Sequence, residues 1–184
     1  GSTMTFKKTL LITSIIAASF SGMVNAAPAS GNATGMIHFK GQFIDSTCTV
    51  EANHENKSEG TVQLGTWMTN TFDKAGELTD AVPFTIGLSG CPATLGKARV
   101  TFEGKENVDN TDLYTVSSAT GVGIGISGDQ NGTNFFTPNS EVDGIPLTGN
   151  SGEKTYYARY VTTAEEVTAG TANADVTVTI QYNQ

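Results

Sequence analysis

The amino-acid sequence predicts an all-β protein, either a β-sandwich or a β-barrel. Turn signals rich in Gly, Asn, Asp and Pro recur at intervals of roughly 8–12 residues, a spacing typical of short strands in these folds. The chain has 184 residues, of which 21 are glycine, and it is dense in Ser, Thr and Asn. Long stretches with the apolar period of a helix are scarce, so strands joined by turns are the expected architecture.

The clearest predicted strand is the last, residues 174–184. Apolar and polar side chains alternate along it, and β-branched residues dominate. Its apolar face carries Val176, Val178, Ile180 and Tyr182. A strand with such a face needs a neighbour, because an open edge templates association. On alternation alone, the expected neighbour is an earlier strand of the same domain.

The other elements follow in order along the chain. Alternation or β-branched runs predict strands at 37–43, 48–51, 61–65, 82–88, 98–102, 122–126 and 155–162. A helical turn is predicted near 72–75, within the long connection 66–80. Neither an internal repeat nor a domain linker is visible, so one domain is expected.

The N-terminal region has the pattern of a secretory signal peptide. Residues 1–3 are interpreted as a cloning remnant, and residues 4–26 combine the basic Lys7 and Lys8 with an apolar run and small residues before the cleavage site. The apolar run is short for a bilayer span, so a retained anchor is the weaker alternative. Cleavage after Ala26 would leave enough chain for one domain with a real core.

The charge of the chain limits its partners. The formal net charge is −8, and the two lysines of the predicted signal peptide would be removed on cleavage. An acidic surface disfavours nucleic acid and anionic membranes, so no nucleic-acid partner is expected. Such a surface suits solubility outside the cytoplasm.

Cys48 and Cys91 predict one disulfide. An even number of cysteines after a secretory signal is typical of structural disulfides. A catalytic or metal-binding thiol is the weaker alternative, because there is no CxxC motif and neither His38 nor His54 lies close to a cysteine in sequence.

One stretch matches the dinucleotide-binding pattern GxGxxG, at residues 123–128. That motif requires a helix whose N-terminus begins at the glycines. Here residues 129–134 have turn chemistry instead, so a glycine-rich strand entering a hairpin is predicted. No cofactor is expected.

Metal binding and catalysis also find little support. Asp129, Asn131 and Asn134 loosely suggest a calcium loop, but the closing bidentate glutamate is lacking. The neighbouring acids at 109–112 and 165–166 lie in polar loops, where nothing would raise a carboxyl pKa for general acid work. With no Ser-His-Asp arrangement recognisable, neither an enzyme nor a metal site is expected.

Several short motifs in fixed order resemble one family. They are Ile37-His38-Phe39-Lys40-Gly41, Cys48-Thr49-Val50, Val62-Gln63-Leu64-Gly65, Phe84-Thr85-Ile86-Gly87-Leu88 ahead of Cys91, Ala158-Arg159-Tyr160, and the ending from Gly170 to Tyr182. This order resembles the chaperone–usher pilins of Gram-negative bacteria, most closely the major rod subunits of type 1-like fimbriae. The family's tyrosine usually stands next to last, whereas Asn183 and Gln184 follow it here, which affects the register of the terminal carboxylate.

The resemblance implies an incomplete immunoglobulin-like sandwich of six strands, in which the missing seventh leaves a groove beside the C-terminal strand. A periplasmic chaperone would fill the groove during folding. An outer-membrane usher would then let the N-terminal extension of the next subunit replace it, a form of β-augmentation for which chaperone–pilin complexes are a recognised example. The implied product is a polymer of identical or related pilin subunits at the cell surface, supporting adhesion.

The resemblance also implies particular site residues. The donor strand would be residues 27–39, and the pilin domain residues 40–184. One face of the donor strand would present Ala29, Gly31, Ala33, Gly35, Ile37 and Phe39, with Gly35 where the family places a glycine. The acceptor groove and the chaperone would pair with Val176, Val178, Ile180 and Tyr182. Cys48 and Cys91 would tie the first strand of this domain to the third.

Three alternatives remain open at this point. Within the family, the chain could be a minor adaptor pilin. Outside it, the chain could be a self-complete secreted sandwich that binds a carbohydrate, for which Trp67 is the sole tryptophan available, although a core or anchoring role suits it better. An enzyme is the weakest class.

Overall fold

The computed structural model describes residues 36, 38–39, 48–55, 58–92 and 96–182, with the backbone alone for Tyr182. The chain divides into two units, residues 1–42 and 43–184, and the architecture below is that of the second. The predicted signal peptide and most of the strand predicted at 37–43 lie outside the described residues.

The described residues form seven β-strands and one short 3-10 helix at Thr69–Thr71. The strands are β1 Thr49–Ala52, β2 Val82–Ser89, β3 Lys97–Glu103, β4 Val122–Ser127, β5 Glu141–Pro146, β6 Gly152–Thr162 and β7 Thr177–Tyr182. They make two sheets, one with the order β1-β2-β6-β4 and one with the order β5-β3-β7. Every ladder is antiparallel. The prediction of an all-β sandwich is confirmed, although the described residues contain seven strands rather than the six that the resemblance implies, since β5 is an additional strand that the sequence does not predict.

The core lies between the two sheets and is built from the alternate residues of each strand. Ala98, Val100 and Phe102 on β3 are fully buried, as period-two alternation requires. The ring of Phe102 meets that of Tyr156 on β6 edge-on, with 5.0 Å between centroids. The hydroxyl of the buried Tyr114 donates to the carbonyl of Phe102 at 2.8 Å, and burial raises the pKa of this phenol. It therefore stays a neutral donor.

Most predicted strands coincide with observed ones, and three elements differ. The predicted strand at 61–65 forms no ladder with any described residue. The helical turn lies at Thr69–Thr71 rather than 72–75, because the backbone of Phe72 is already extended. Strand β5 is not predicted by the sequence, since its Asp143, Gly144 and Pro146 have the composition of a turn.

The predicted disulfide between Cys48 and Cys91 is present, with 4.3 Å between the Cα atoms. Cys48 directly precedes β1, and Cys91 follows β2, whose Ser89 pairs with Thr49. Because no strand forms at 61–65, the bond joins the first and second strands, and the expectation of a link from first to third is wrong in its numbering. The chain segments that it joins are those expected.

The GxGxxG stretch lies in β4 and the turn after it, so the predicted strand is confirmed. The predicted hairpin is wrong, because β4 pairs with β6 and the next strand, β5, belongs to the other sheet. A Cβ at Gly125 would lie 2.4 Å from the ring of Phe135, and a Cβ at Gly123 would lie 2.9 Å from the Cβ of Leu113. These glycines let neighbouring side chains pack directly on the strand. Their role is close packing in a strand.

Gly125→Ala is expected to lower the free energy of unfolding by about 1–3 kcal/mol, because the new methyl group overpacks against Phe135. Urea unfolding would measure the change. Gly87→Ala is the matched control, since its added Cβ would meet only ordinary contacts of 3.7 Å or more within a strand. Equal effects of the two substitutions would show that the contact with Phe135 is unimportant.

Candidate functional site

The last strand has an open edge. β7 pairs with β3 along the register from Ala98↔Tyr182 to Glu103↔Thr177. On its other side, no strand among the described residues pairs with it. The N–H and C=O groups along such an edge can accept a further strand.

Side chains on β7 are less covered than their direct partners. Val178 and Ile180 pack against the core but remain partly exposed. Their partners on β3, Phe102 and Val100, are 1% and 0% exposed. β3 and β7 contribute to the same apolar layer. The greater solvent exposure of the β7 side chains therefore shows that this layer is incompletely covered at β7. Val176, directly before the strand, is also partly exposed.

A groove of about 970 Å³ opens beside the start of β7. Segments 60–67 and 167–175 both line it, together with Val122, Ile124 and Tyr160 from the inner face of the four-stranded sheet. The groove therefore reaches the apolar core of the sandwich.

Segment 60–67 is strand-like in pattern but forms no ladder with the described residues. Val62 and Leu64 pack against the core, whereas the residues between and beside them are exposed. Hydrogen bonds from side chains, rather than a strand ladder, hold this segment in position. The amide of Asn53 donates to the carbonyl of Thr61 at 3.1 Å, and the indole Nε1 of Trp67 donates to the carbonyl of Leu64 at 2.8 Å. These hydrogen bonds fix segment 60–67 as one wall of the groove.

Segment 167–175 is fixed by hydroxyl groups. Ser117 Oγ donates to the carbonyl of Thr171 at 3.0 Å, and the backbone N–H of Thr120 donates to Thr168 Oγ1 at 3.0 Å. The hydroxyl of Tyr160 donates to the carbonyl of Ala172 at 2.7 Å, and desolvation raises the pKa of this phenol. The wall is therefore positioned before any strand binds, which reduces the entropy lost on binding.

The charge of the groove is sparse and negative. Glu77 and Asp175 line it, and none of the described lining residues is Lys, Arg or His. Glu77 already accepts backbone hydrogen bonds from Asp73 and Lys74 at 2.8 and 3.2 Å. Across the described ranges, no group of three or more His, Cys, Asp or Glu residues is placed to hold a metal ion. The site suits an uncharged peptide segment better than an anion.

The structure describes the predicted acceptor residues but few of the predicted donor residues. Val176, Val178 and Ile180 lie on or directly before β7. The backbone of Tyr182 ends that strand, opposite Ala98. On the donor side, Ala29, Gly31, Ala33, Gly35 and Ile37 lie outside the described residues. Phe39 is described, and it is 91% exposed.

The walls of the groove are not predicted by the sequence. The alternation at 61–65 indicates a strand but gives no sign that its neighbour would be missing. Segment 167–173 has the pattern of a loop, because its Thr, Ala and Gly residues carry no strand period. Only the long-range hydrogen bonds from 117–120 and Tyr160 reveal its role as a wall.

Two antiparallel sheets packed face to face, with the last strand left at an edge, define the chain as an incomplete immunoglobulin-like sandwich. The chain belongs to the fimbrial protein family, whose sequence model matches residues 37–183. Strand β7 and both walls of the groove fall inside this match. As a member of this family, the chain is a structural subunit of fimbriae, the appendages of the cell surface.

Individual relatives agree with this assignment. The fimbrial-like protein FimF of Salmonella typhimurium is 37% identical over 150 residues, which are 80% of this chain and 83% of the relative. The type-1 fimbrial protein A chain of Escherichia coli is 36% identical over 188 residues, covering 95% of this chain and 98% of the relative.

Solved structures support the fold. The P pilus rod subunit PapA matches with a TM-score of 0.61 at 21% identity, over 74% of this chain and 99% of that one. A subunit from a chaperone–usher pilus rod matches with a TM-score of 0.61 at 22% identity, over 85% of this chain and 100% of that one. No helix in the described part of the chain is long and apolar enough to cross a membrane.

Proposed function

We propose that the chain polymerises head to tail by donor-strand exchange, in which residues 27–39 of one subunit add a strand beside β7 of another. The observation that carries the proposal is the difference in cover between paired residues. Val178 and Ile180 are partly exposed, whereas Phe102 and Val100 opposite them are fully buried. An added strand would cover the first pair and use the open edge of β7.

The donor strand is proposed to run antiparallel to β7, as every ladder of the two sheets does. This direction places the end of the donor strand, with Ile37 and Phe39, at the start of β7, where the groove is lined by 167–175. The small residues of the donor, Ala29 to Gly35, then lie along the later part of β7. The large side chains of the donor strand would therefore meet the open groove at the start of β7.

Burial of the large side chains of the donor strand and formation of a new ladder both favour association. Burying Ile37 and Phe39 would contribute about 1.5–3 kcal/mol each, and the main-chain hydrogen bonds of the new ladder would add to this. The exposure of Phe39 in the single chain is consistent with a side chain that is buried only after association.

The proposal includes two further partners, a chaperone and an usher. A periplasmic chaperone would occupy the open edge until the subunit reaches an outer-membrane usher, and the product would be a rod of identical or related subunits. Within this proposal, a minor adaptor pilin is the alternative to a rod subunit. The role is structural and needs neither cofactor nor catalysis, and no nucleic acid is involved.

A self-complete sandwich binding a carbohydrate through Trp67 is less well supported. The indole N–H already donates to the carbonyl of Leu64, so it is not available to a sugar hydroxyl. Trp67 is 40% exposed and fixes the wall of the groove. The contact favours an anchoring role.

Peptide binding tests the proposal directly. A synthetic peptide of residues 27–39 is expected to bind a subunit lacking that segment. At a concentration about a hundred times its Kd, it should raise the free energy of unfolding by about 2.7 kcal/mol. Thermal unfolding would measure the change, with a peptide of the same composition in scrambled order as control. A subunit that is stable alone, and whose free energy of unfolding does not change with the peptide, would contradict the proposal. It would favour the alternative of a ligand bound near Trp67.

A further inference from the structure

Three large apolar side chains are exposed among the described residues of the unit 43–184. Trp67 is 40% exposed, Met68 75% and Val108 87%. Trp67 and Met68 lie in the connection before β2, and Val108 lies in the connection between β3 and β4. Single exposed apolar residues are common on protein surfaces, so their shared location is what matters.

All three lie at one pole of the sandwich. β4 and β7 both begin at this pole, where the N–H of Thr163 donates to the carbonyl of Gly121 and that of Ser118 donates to the carbonyl of Thr171. Trp67 lines the groove together with Thr162, the last residue of β6. β6 ends beside the start of β4, since Val122 pairs with Thr162.

Val108 is tied to the same pole through its neighbour. The amide of the buried Asn107 donates to the carbonyl of Val122 at 3.3 Å, and Val122 lines the groove. Asn107 Oδ1 also accepts from the N–H groups of Asp109 and Asn110 at 2.9 and 3.1 Å, which holds the loop around Val108. The exposed valine is therefore presented by an ordered loop.

The proposed direction of the donor strand identifies what comes to this pole. Its last residues, Ile37 and Phe39, would lie at the start of β7. From Phe39 the donating chain has only residues 40–47 before its own disulfide at Cys48, a stretch that spans at most about 30 Å when fully extended. The domain of the donating subunit is therefore tethered within about 30 Å of the pole that carries Met68 and Val108.

Resting on the proposed function, we propose that Trp67, Met68 and Val108 form a second contact between consecutive subunits, covered by the domain of the subunit that donates its strand. The contact is heterologous, since one pole of a subunit meets a different surface of the next. Such contacts repeat along an open polymer. It would orient one domain on the next, in addition to the link that the inserted strand provides.

The test separates strand insertion from domain contact. Met68→Asp and Val108→Asp are combined in the full chain, and Met68→Leu with Val108→Ile is the matched control. Trp67 is left unchanged because it lines the groove. Each protein, held as its chaperone complex, is given either the peptide of residues 27–39 or a complete second subunit, and both rates of incorporation are measured.

The aspartate pair is expected to slow incorporation of the complete subunit about tenfold and to leave incorporation of the peptide unchanged. The conservative pair should behave as the unsubstituted chain in both assays. Unchanged incorporation of the complete subunit, or equal slowing of subunit and peptide, would overturn the domain contact while leaving strand exchange standing. Failure of the unsubstituted chain to take up the peptide would overturn both.

Discussion

Deleting residues 27–39 is expected to abolish polymerisation while leaving the sandwich and its groove intact. The mature chain should give a ladder of oligomers on unheated SDS gels that collapses on boiling, because the strands inserted beside β7 persist until the fold is melted. The deletion should give no ladder. The physical reason is that the deleted stretch supplies the strand that covers Val178 and Ile180.

A point substitution should reproduce much of this loss. Phe39→Asp would bring a carboxylate into the groove lined by Val122, Ile124 and Tyr160, and would remove the aromatic ring. The combined penalty is about 4 kcal/mol, which corresponds to roughly a thousandfold weaker incorporation. Competition between the variant and the unsubstituted chain in one assembly reaction would measure it.

His38→Asp is the matched control for that substitution. Alternation places residue 38 on the opposite face of the donor strand from Phe39, so its side chain would point away from the groove. Its incorporation should stay close to that of the unsubstituted chain. If His38→Asp and Phe39→Asp were equally impaired, the proposed face of the donor strand would be wrong. If neither were impaired, the donor segment would have to lie elsewhere.

Replacing Cys48 and Cys91 by serine is expected to lower the free energy of unfolding by about 4 kcal/mol. The bond closes a loop with a sequence separation of 43 residues, and a cross-link over that length restricts the unfolded chain by this amount in the chain-entropy treatment. β1 has only four residues and, within the described part of the chain, pairs with β2 alone, so few ladder hydrogen bonds hold it to the sheet. Denaturant unfolding of the peptide-complemented subunit would measure the loss.

Two comparisons make the disulfide result specific. Reduction of the unsubstituted subunit should give most of the loss seen in the double serine variant, because both break the S–S bond. The variant also places a hydroxyl group at the buried position of Cys91, which adds to its loss. The peptide keeps β7 covered in the complemented subunit. The change in the free energy of unfolding therefore reports on the β1–β2 end of the sandwich. A loss below about 1 kcal/mol would show that the β1–β2 ladder is sufficient without the cross-link.

The open edge of β7 explains why this subunit needs a partner strand. Soluble proteins usually protect the edges of their sheets with charges, bulges or covering segments. Along β7 the inward side chains are apolar, and the described lining of the groove carries only two carboxylates. The side chains that hold 60–67 and 167–175 keep the edge accessible, so the subunit is preorganised to receive a strand.

Most of the strands were determined by the sequence itself. Period-two alternation is local, and it located β2, β3, β4, β6 and β7 to within a few residues because each has one face against the core. The pairing of Cys48 with Cys91 was also predictable, since only two cysteines are available. The motifs from Ile37 to Tyr182, taken in their order along the chain, were enough to indicate the family.

The tertiary structure decided which strand was left without a neighbour. Alternation shows that Val178 and Ile180 face a core, but it cannot show whether both edges of their strand are paired, because pairing joins residues far apart in the chain. For the same reason Val62 and Leu64 have the pattern of a paired strand and yet form a wall that has no ladder with any residue that the structure describes. β5 escapes prediction because Gly144, whose added Cβ would lie 2.1 Å from the carbonyl oxygen of Ala98, is required by close packing against β3 and resembles a turn residue in sequence.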